Sequence, residues 1–338
     1  MINEIIKLTD VQKFEMFFKE ENINQNDVII RPTYLSICAA DQRYYQGKRK
    51  KEILQKKLPL TLIHEAVGRV VYDPKGEFKK GENVVMIPNT PKEEDSIIKE
   101  NYRRSSLFRS SSCDGFMQSN VFMNRERIIP IGNIEEDVAA MLEITSISVN
   151  AIENFMEKSH KRREVIGVWG SGNVGYTTSL LLKKYLPDSK IIVIGRNKEK
   201  LSYFSFADET IATDEITKDI MVDHAFECCG GLGSEIAIDE IIDHINPQGT
   251  ISLLGVSEEP VRINTRMVLE KGLTLLGDSR SGYIDFAKSV EFMQDKTIQN
   301  YMKNIISEII DINSINDIYK AFDNDRTNKF KTVMRWNI

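Results

Sequence analysis

Residues 165–175 read Val-Ile-Gly-Val-Trp-Gly-Ser-Gly-Asn-Val-Gly, an apolar run leading straight into G-x-G-x-x-G. No other stretch so narrows what the chain can fold into. Val165–Trp169 suits a buried parallel strand. Gly170 permits a tight turn, Gly172 lets the backbone approach a pyrophosphate, and Gly175 lets the next helix pack close to the strand. That helix, from about Val174 to Tyr185, offers free N–H groups and a positive dipole end to phosphate. Asn173 and Val174 therefore join the three glycines as candidate cofactor-binding residues. A glycine-rich turn alone is a common structural device. Here a strand precedes it, a helical pattern follows, and a second strand, Lys190–Gly195, comes next, so the unit predicts a dinucleotide site.

The end of that second strand suggests which dinucleotide. An NAD site usually places Asp or Glu there, roughly 20 residues past the glycines, to accept a hydrogen bond from the ribose 2′-OH. This chain has Ile194-Gly195-Arg196-Asn197-Lys198-Glu199-Lys200 instead. Arg196 and Lys198 would pair with a 2′-phosphate, and Gly195 removes bulk beside it. The expectation is NADP(H); the plainer alternative is a solvated charged loop at a helix start.

At 338 residues the chain is long enough for two domains. Its formal net charge of −5 gives no electrostatic footprint for nucleic acid. No apolar run approaches the roughly 18 residues of a membrane helix. The start, Met-Ile-Asn-Glu-Ile-Ile-Lys, lacks the basic region and long apolar run of a signal peptide. Cys38, Cys113, Cys228 and Cys229 are too few for a disulfide framework in a chain this long. A reducing cytoplasm is the expected setting.

Residues 1–145 read as β-rich, with strand-like runs at Asp27–Pro32, Ala66–Tyr72, Asn83–Pro88, Met117–Met123 and Arg127–Pro130. A helical stretch runs from Asp137 to Phe155. Beyond about 160, the runs Val165–Trp169, Ile191–Ile194, Thr210–Ala212, His224–Cys228, Thr250–Leu254 and Leu273–Leu276 alternate with helical segments, which predicts a doubly wound parallel sheet. The tail after about 283, ending in a strand at Lys331–Trp336, should return to the first domain. The expected domains are 1–145 with 284–338, and 146–283. Thr90–Ser112 is polar and aperiodic, a long surface loop. Cys228 and Cys229 read as core packing on opposite faces of a strand, and His160, His224 and His244 as structural.

Three segments carry possible metal ligands: Cys38-Ala39-Ala40-Asp41, Leu62-Ile63-His64-Glu65, and Glu143 at a helix start. A thiolate, an imidazole and carboxylates make a plausible zinc set with a position open for catalysis. Each is weak by itself, since a lone Cys is most often a small buried hydrophobe. Placed ahead of the dinucleotide motif, the three resemble the zinc-dependent polyol dehydrogenase branch of the medium-chain dehydrogenase/reductase superfamily. So do Asp223–Gly231 and Gly249–Gly255. The resemblance implies a GroES-like catalytic domain joined to a Rossmann domain. It also implies zinc held by Cys38, His64, Glu65 and Glu143, with Asp41 steadying the histidine, and Tyr44 and Tyr45 in the substrate pocket. Three features depart from that pattern. Ile63 stands where a Gly is usual, Ala40 lacks the hydroxyl of the proton relay, and the Thr90–Cys113 loop has one Cys where a structural zinc needs four. One catalytic zinc and no structural zinc are therefore expected.

A finer resemblance is to bacterial NADP-dependent ribitol-5-phosphate 2-dehydrogenases, carried by Arg31–Tyr45, Lys57–His64, Val84–Pro91, Phe108–Ser111 and Arg266–Leu275. It implies reduction of ribulose 5-phosphate to ribitol 5-phosphate by NADPH, supplying CDP-ribitol for teichoic acid or capsule. It further implies a homodimer and association with the cytidylyltransferase of that pathway. A sugar phosphate needs cationic, hydrogen-bonding partners. Arg109 is the first choice, with Arg43, Arg103 and Arg104 behind it. The alternatives are an unphosphorylated polyol or secondary-alcohol dehydrogenase, and a nucleotide-binding protein that has lost catalysis.

Overall fold

The computed structural model describes the whole chain, Met1–Ile338. It divides into two compact units, Met1–Ser146 with Ser281–Ile338, and Ile147–Arg280. In the second unit six strands lie parallel: Val165–Trp169, Lys190–Gly195, Glu209–Ala212, Val222–Glu227, Ile245–Leu253 and Thr274–Gly277. Across the sheet they run third, second, first, fourth, fifth, sixth. This is the doubly wound order whose switch point lies beside the first strand. The glycines act as their spacing predicts. Gly170 has φ +125°, and a Cβ added at Gly175 would lie 1.8 Å from the Gly170 carbonyl oxygen. The helix Asn173–Tyr185 can therefore start against its strand only because no side chain intervenes.

The first unit is a largely antiparallel sheet ordered Ile306–Ile312, Lys331–Trp336, Asp27–Ser36, Glu65–Tyr72, Asn83–Met86, Ile128–Pro130, with Val121–Asn124 also pairing to Asp27–Ser36. The C-terminal strand does return to this unit, pairing Val333 with Ser36. Two elements escaped the sequence reading, the N-terminal hairpin Ile2–Asp10/Lys13–Glu20 and the edge strand Ile306–Ile312. Both carry charges among their apolar residues, which blurs period-two alternation. The stretch 137–155 is two helices, Glu136–Ala139 and Leu142–Lys158. The Thr90–Ser112 loop is held by Arg103, whose guanidinium donates to the carbonyls of Glu93, Asp95 and Ile98 at 2.6–2.9 Å. No helix is long and apolar enough to cross a membrane.

His224, His160 and His244 are structural. His224 is fully buried; its Nδ1 accepts from the Thr250 N–H at 3.1 Å and its Nε2 donates to the Arg162 carbonyl at 3.0 Å. Its ring packs on Phe155 and His160, and His244 bonds the Ile220 carbonyl at 2.8 Å. Burial, aided by His160, pushes the His224 pKa down to about 4. Between about pH 6.5 and 4 the unfolded chain thus binds a proton that the native state refuses, and stability falls as pH falls through that window. Urea unfolding of wild type and His224→Gln from pH 7 to 4 should show this. The variant is less stable throughout but loses part of the acid slope; parallel slopes would refute the assignment.

Candidate functional site

Cys38 caps the N-terminus of the helix Ala39–Tyr45, while His64 and Glu65 sit where the chain enters the strand Glu65–Tyr72. Folding brings together one ligand atom from each of Cys38, His64 and Glu65, all within 4.8 Å of one another. The Glu65 carboxylate is fully buried. Its Oε1 accepts from the Lys331 ammonium at 2.5 Å, and Oε2 has no partner in the chain. Thiolate, imidazole and an unsatisfied buried carboxylate oxygen are a donor set that suits zinc. Glu143 is buried at the start of Leu142–Lys158 but does not join the three converging atoms. Burial, with the nearby charges of Glu65 and Asp41, pushes its carboxyl up to about 7, against the pull of His64 and Lys331.

Asp41 organises this cluster. Its Oδ2 lies 3.5 Å from His64 Nδ1 and accepts from the Cys38 N–H at 3.3 Å. Its Oδ1 accepts from the Ile63 N–H at 3.0 Å and the Ser110 hydroxyl at 2.5 Å. These partners hold Asp41 below the usual carboxylate range, overcoming burial. Burial likewise opposes charge on His64, yet Asp41 and Cys38 hold its pKa well above the ordinary value. Ile63 and Ser110 both have positive φ, +71° and +61°. The Gly usual in the family would adopt this backbone freely; a β-branched residue does so at about 1–2 kcal/mol. Fully buried Ile63 recovers the cost through core packing.

The second site is a cavity of about 850 Å³ at the C-terminal ends of the parallel strands, lined by Gly170, Ser171, Gly172, Arg196, Lys198 and Lys200 among others. A Cβ added at Gly172 would meet nothing within 4 Å, so the backbone here faces open space, as a pyrophosphate cradle requires. The Gly195 position is tight for a different reason than expected: an added Cβ would lie 2.6 Å from the Ser171 hydroxyl. Arg196 is exposed on the lining, whereas the Lys198 ammonium is 2.5 Å from Glu215. Lys200, not singled out from sequence, lines the cavity as well.

Comparison with known proteins agrees with this geometry. Residues 24–133 match the alcohol dehydrogenase GroES-like domain and residues 174–295 the zinc-binding dehydrogenase family. A ribulose-5-phosphate reductase of Bacillus spizizenii is 49% identical over 341 residues, covering all of both chains. This chain belongs to the zinc-binding alcohol dehydrogenase family. Ribulose-5-phosphate reductase 2 of Staphylococcus aureus is 48% identical, again over all of both chains, and the Streptococcus pneumoniae reductase is 45% identical over 100% of this chain and 98% of its own. The crystal structure of S. aureus TarJ in complex with NADPH superposes with a TM-score of 0.90 at 43% identity over the full length of both chains.

Within this family member several expected site residues do other work. Tyr44 and Tyr45 are 4% and 2% exposed and belong to the hydrophobic core. Tyr45 stacks on Phe14 and reaches Asp323 with its hydroxyl. The short helix turns both rings inward, so neither is an open pocket wall. Arg43 is partly buried on the same helix. Cys228 is buried, but Cys229 is exposed and lines the nucleotide cavity. The strand ends at Glu227, so strand alternation does not apply to the pair. Lys331 is the residue the sequence gave no reason to select. An isolated lysine on a terminal strand carries no motif, and its role appears only when the tail folds back beside Glu65.

Arg109 also changes role. Its guanidinium donates to the carbonyls of Asp114 at 3.2 Å and Phe122 at 3.0 Å and packs over the Phe116 ring at 5.4 Å. These bonds tie the loop to the sheet and leave the group poorly placed to serve a phosphate. Arg109→Ala should therefore lower folding stability by roughly 1–3 kcal/mol through unpaired carbonyls, as read by denaturant unfolding. Unchanged stability with selective loss of phosphate affinity would restore the original assignment.

Proposed function

We propose that this chain reduces D-ribulose 5-phosphate to D-ribitol 5-phosphate, using NADPH and one catalytic zinc. The observation that carries the proposal is the convergent Cys38, His64 and Glu65 donor set with its unpartnered carboxylate oxygen. The names of the full-length relatives support the substrate. Zinc, when bound, polarises the C2 ketone, and NADPH supplies the hydride that C2 receives. The chain's own residues prepare these events. Asp41 fixes the His64 ring through Nδ1. Lys331 holds Glu65 through one oxygen and leaves the other for a cation. We place Glu143 as a further ligand available on substrate exchange. The Gly170–Gly175 turn, with Asn173 and Val174, would hold the pyrophosphate, and Arg196 with Lys200 the 2′-phosphate. Ala40 supplies no hydroxyl, so the proton on the product oxygen comes from water.

The Thr90–Cys113 loop contains one cysteine and is stapled by Arg103, which supports a single zinc per chain. Cytoplasmic location, a homodimer, and association with a cytidylyltransferase that consumes the product belong to the same reading. The outer strand Thr274–Gly277 leaves a sheet edge on which a second copy could pair.

Purified protein should oxidise NADPH with ribulose 5-phosphate far faster than with ribulose, and a chelator should abolish this until zinc is restored. Turnover that survives complete metal removal, or equal rates on both ketoses, would defeat the proposal. For the cofactor, Arg196→Ala should weaken NADPH binding about tenfold or more while scarcely affecting NADH, since one charged hydrogen bond is worth about 1.5–3 kcal/mol. Equal losses would show that Arg196 does not read the phosphate.

A further inference from the structure

The nucleotide cavity contains a group that phosphate binding does not explain. Arg196, Lys198 and Lys200 line it from the end of the second parallel strand, and one acid, Glu240, lines it from the helix Gly233–His244. That helix presents Gly233, Ile236, Ala237 and Glu240 to the cavity, a stripe at i, i+3, i+4 and i+7. Trp169 and Ile194 add apolar lining. An added Cβ at Gly233 would come 4.0 Å from the Arg196 guanidinium, so Arg196 and this stripe border the same space. The Glu240 Oε2 accepts from the Nε1 of Trp169 at 3.2 Å, and the indole is 1% exposed. The bond fixes the carboxylate at the apolar stripe and leaves its second oxygen available.

A carboxylate in a cavity built for phosphates opposes binding unless the ligand brings it a donor. On the adenosine half of NADPH the donors are the adenine 6-amino group and the ribose 3′-hydroxyl. The hydroxyl adjoins the 2′-phosphate and belongs near Arg196. Glu240 sits seven residues along its helix, about 10 Å from Gly233 at 1.5 Å per residue. It is flanked by side chains that suit the flat face of a base and not a sugar. We propose that Glu240 is a specificity-determining residue that accepts a hydrogen bond from the adenine 6-amino group. Burial pushes the Glu240 carboxyl upward, consistent with a site that a ligand completes. This assignment rests on the NADPH reading above.

The test compares equilibrium binding of NADPH with that of reduced nicotinamide hypoxanthine dinucleotide phosphate, in which a 6-oxo group replaces the amine. Wild type should prefer NADPH by about tenfold or more, the size of one hydrogen bond to a charged group. Glu240→Ala should bind both nucleotides alike. Glu240→Gln keeps an acceptor for Trp169 and guards against a folding failure; it should narrow the preference to a few-fold, as a neutral acceptor does. A merely structural role for Glu240 would weaken both nucleotides together and leave their ratio unchanged. Equal wild-type affinities, or a preference that persists in Glu240→Ala, would overturn the assignment while leaving the cofactor intact. Failure of wild type to bind NADPH would overturn the cofactor reading, and this assignment with it.

Discussion

The buried ion pair between Lys331 and Glu65 is the interaction on which the first unit depends. Lys331 is 2% exposed and Glu65 fully buried, with nitrogen and oxygen 2.5 Å apart. Two charges withdrawn from water cost several kcal/mol each unless geometry and further hydrogen bonds compensate. Lys331 also donates to the Ile37 carbonyl at 3.1 Å, one residue before Cys38. One ammonium therefore joins the last strand to the two segments that supply the metal donors. A hydrophobic pair would close this sheet at lower cost. The charged pair has a different merit: it holds a carboxylate ionised, in a dry place, with one oxygen still unsatisfied.

A similar economy governs Asp41. A single carboxylate receives two backbone N–H groups and a hydroxyl and still touches His64. Two of those donors come from residues in left-handed backbone, Ile63 and Ser110. Local strain is thus accepted where it aims donors at the residue that orients a ligand. Ile63 shows how a departure from family pattern can be absorbed. The side chain that makes the conformation costly also fills the core beside the site.

The second unit rests on close approach. Gly170 and Gly175 let a helix meet its strand without intervening atoms, and Gly255 does the same for a buried carboxylate. Glu227, fully buried at the end of its strand, accepts from the N–H groups of Cys229, Gly230 and Gly255 at 2.9–3.1 Å. It ties together two loops, and Cys229 and Gly230 of the first line the nucleotide cavity. A charge-assisted acceptor with three backbone donors makes this edge rigid.

The local features were legible in the chain itself. Strand, glycine turn and helix follow from apolar runs and from residues without a Cβ. The basic end of the second strand follows from the absence of an acid at a fixed spacing. Cys38, His64 and Glu65 could be chosen because their chemistry is rare, and family resemblance joined them. Only tertiary structure could assign the partners. Arg109 and Tyr44 have the chemistry of a substrate site, but their hydrogen-bonding and apolar surfaces are consumed by the chain's own carbonyls and core. Lys331, Ser110 and Glu240 carry no motif. Their roles arise from contacts with segments at least 69 residues away in sequence. Sequence periodicity reports which face of an element is buried; which groups meet there is set by the packing of distant segments.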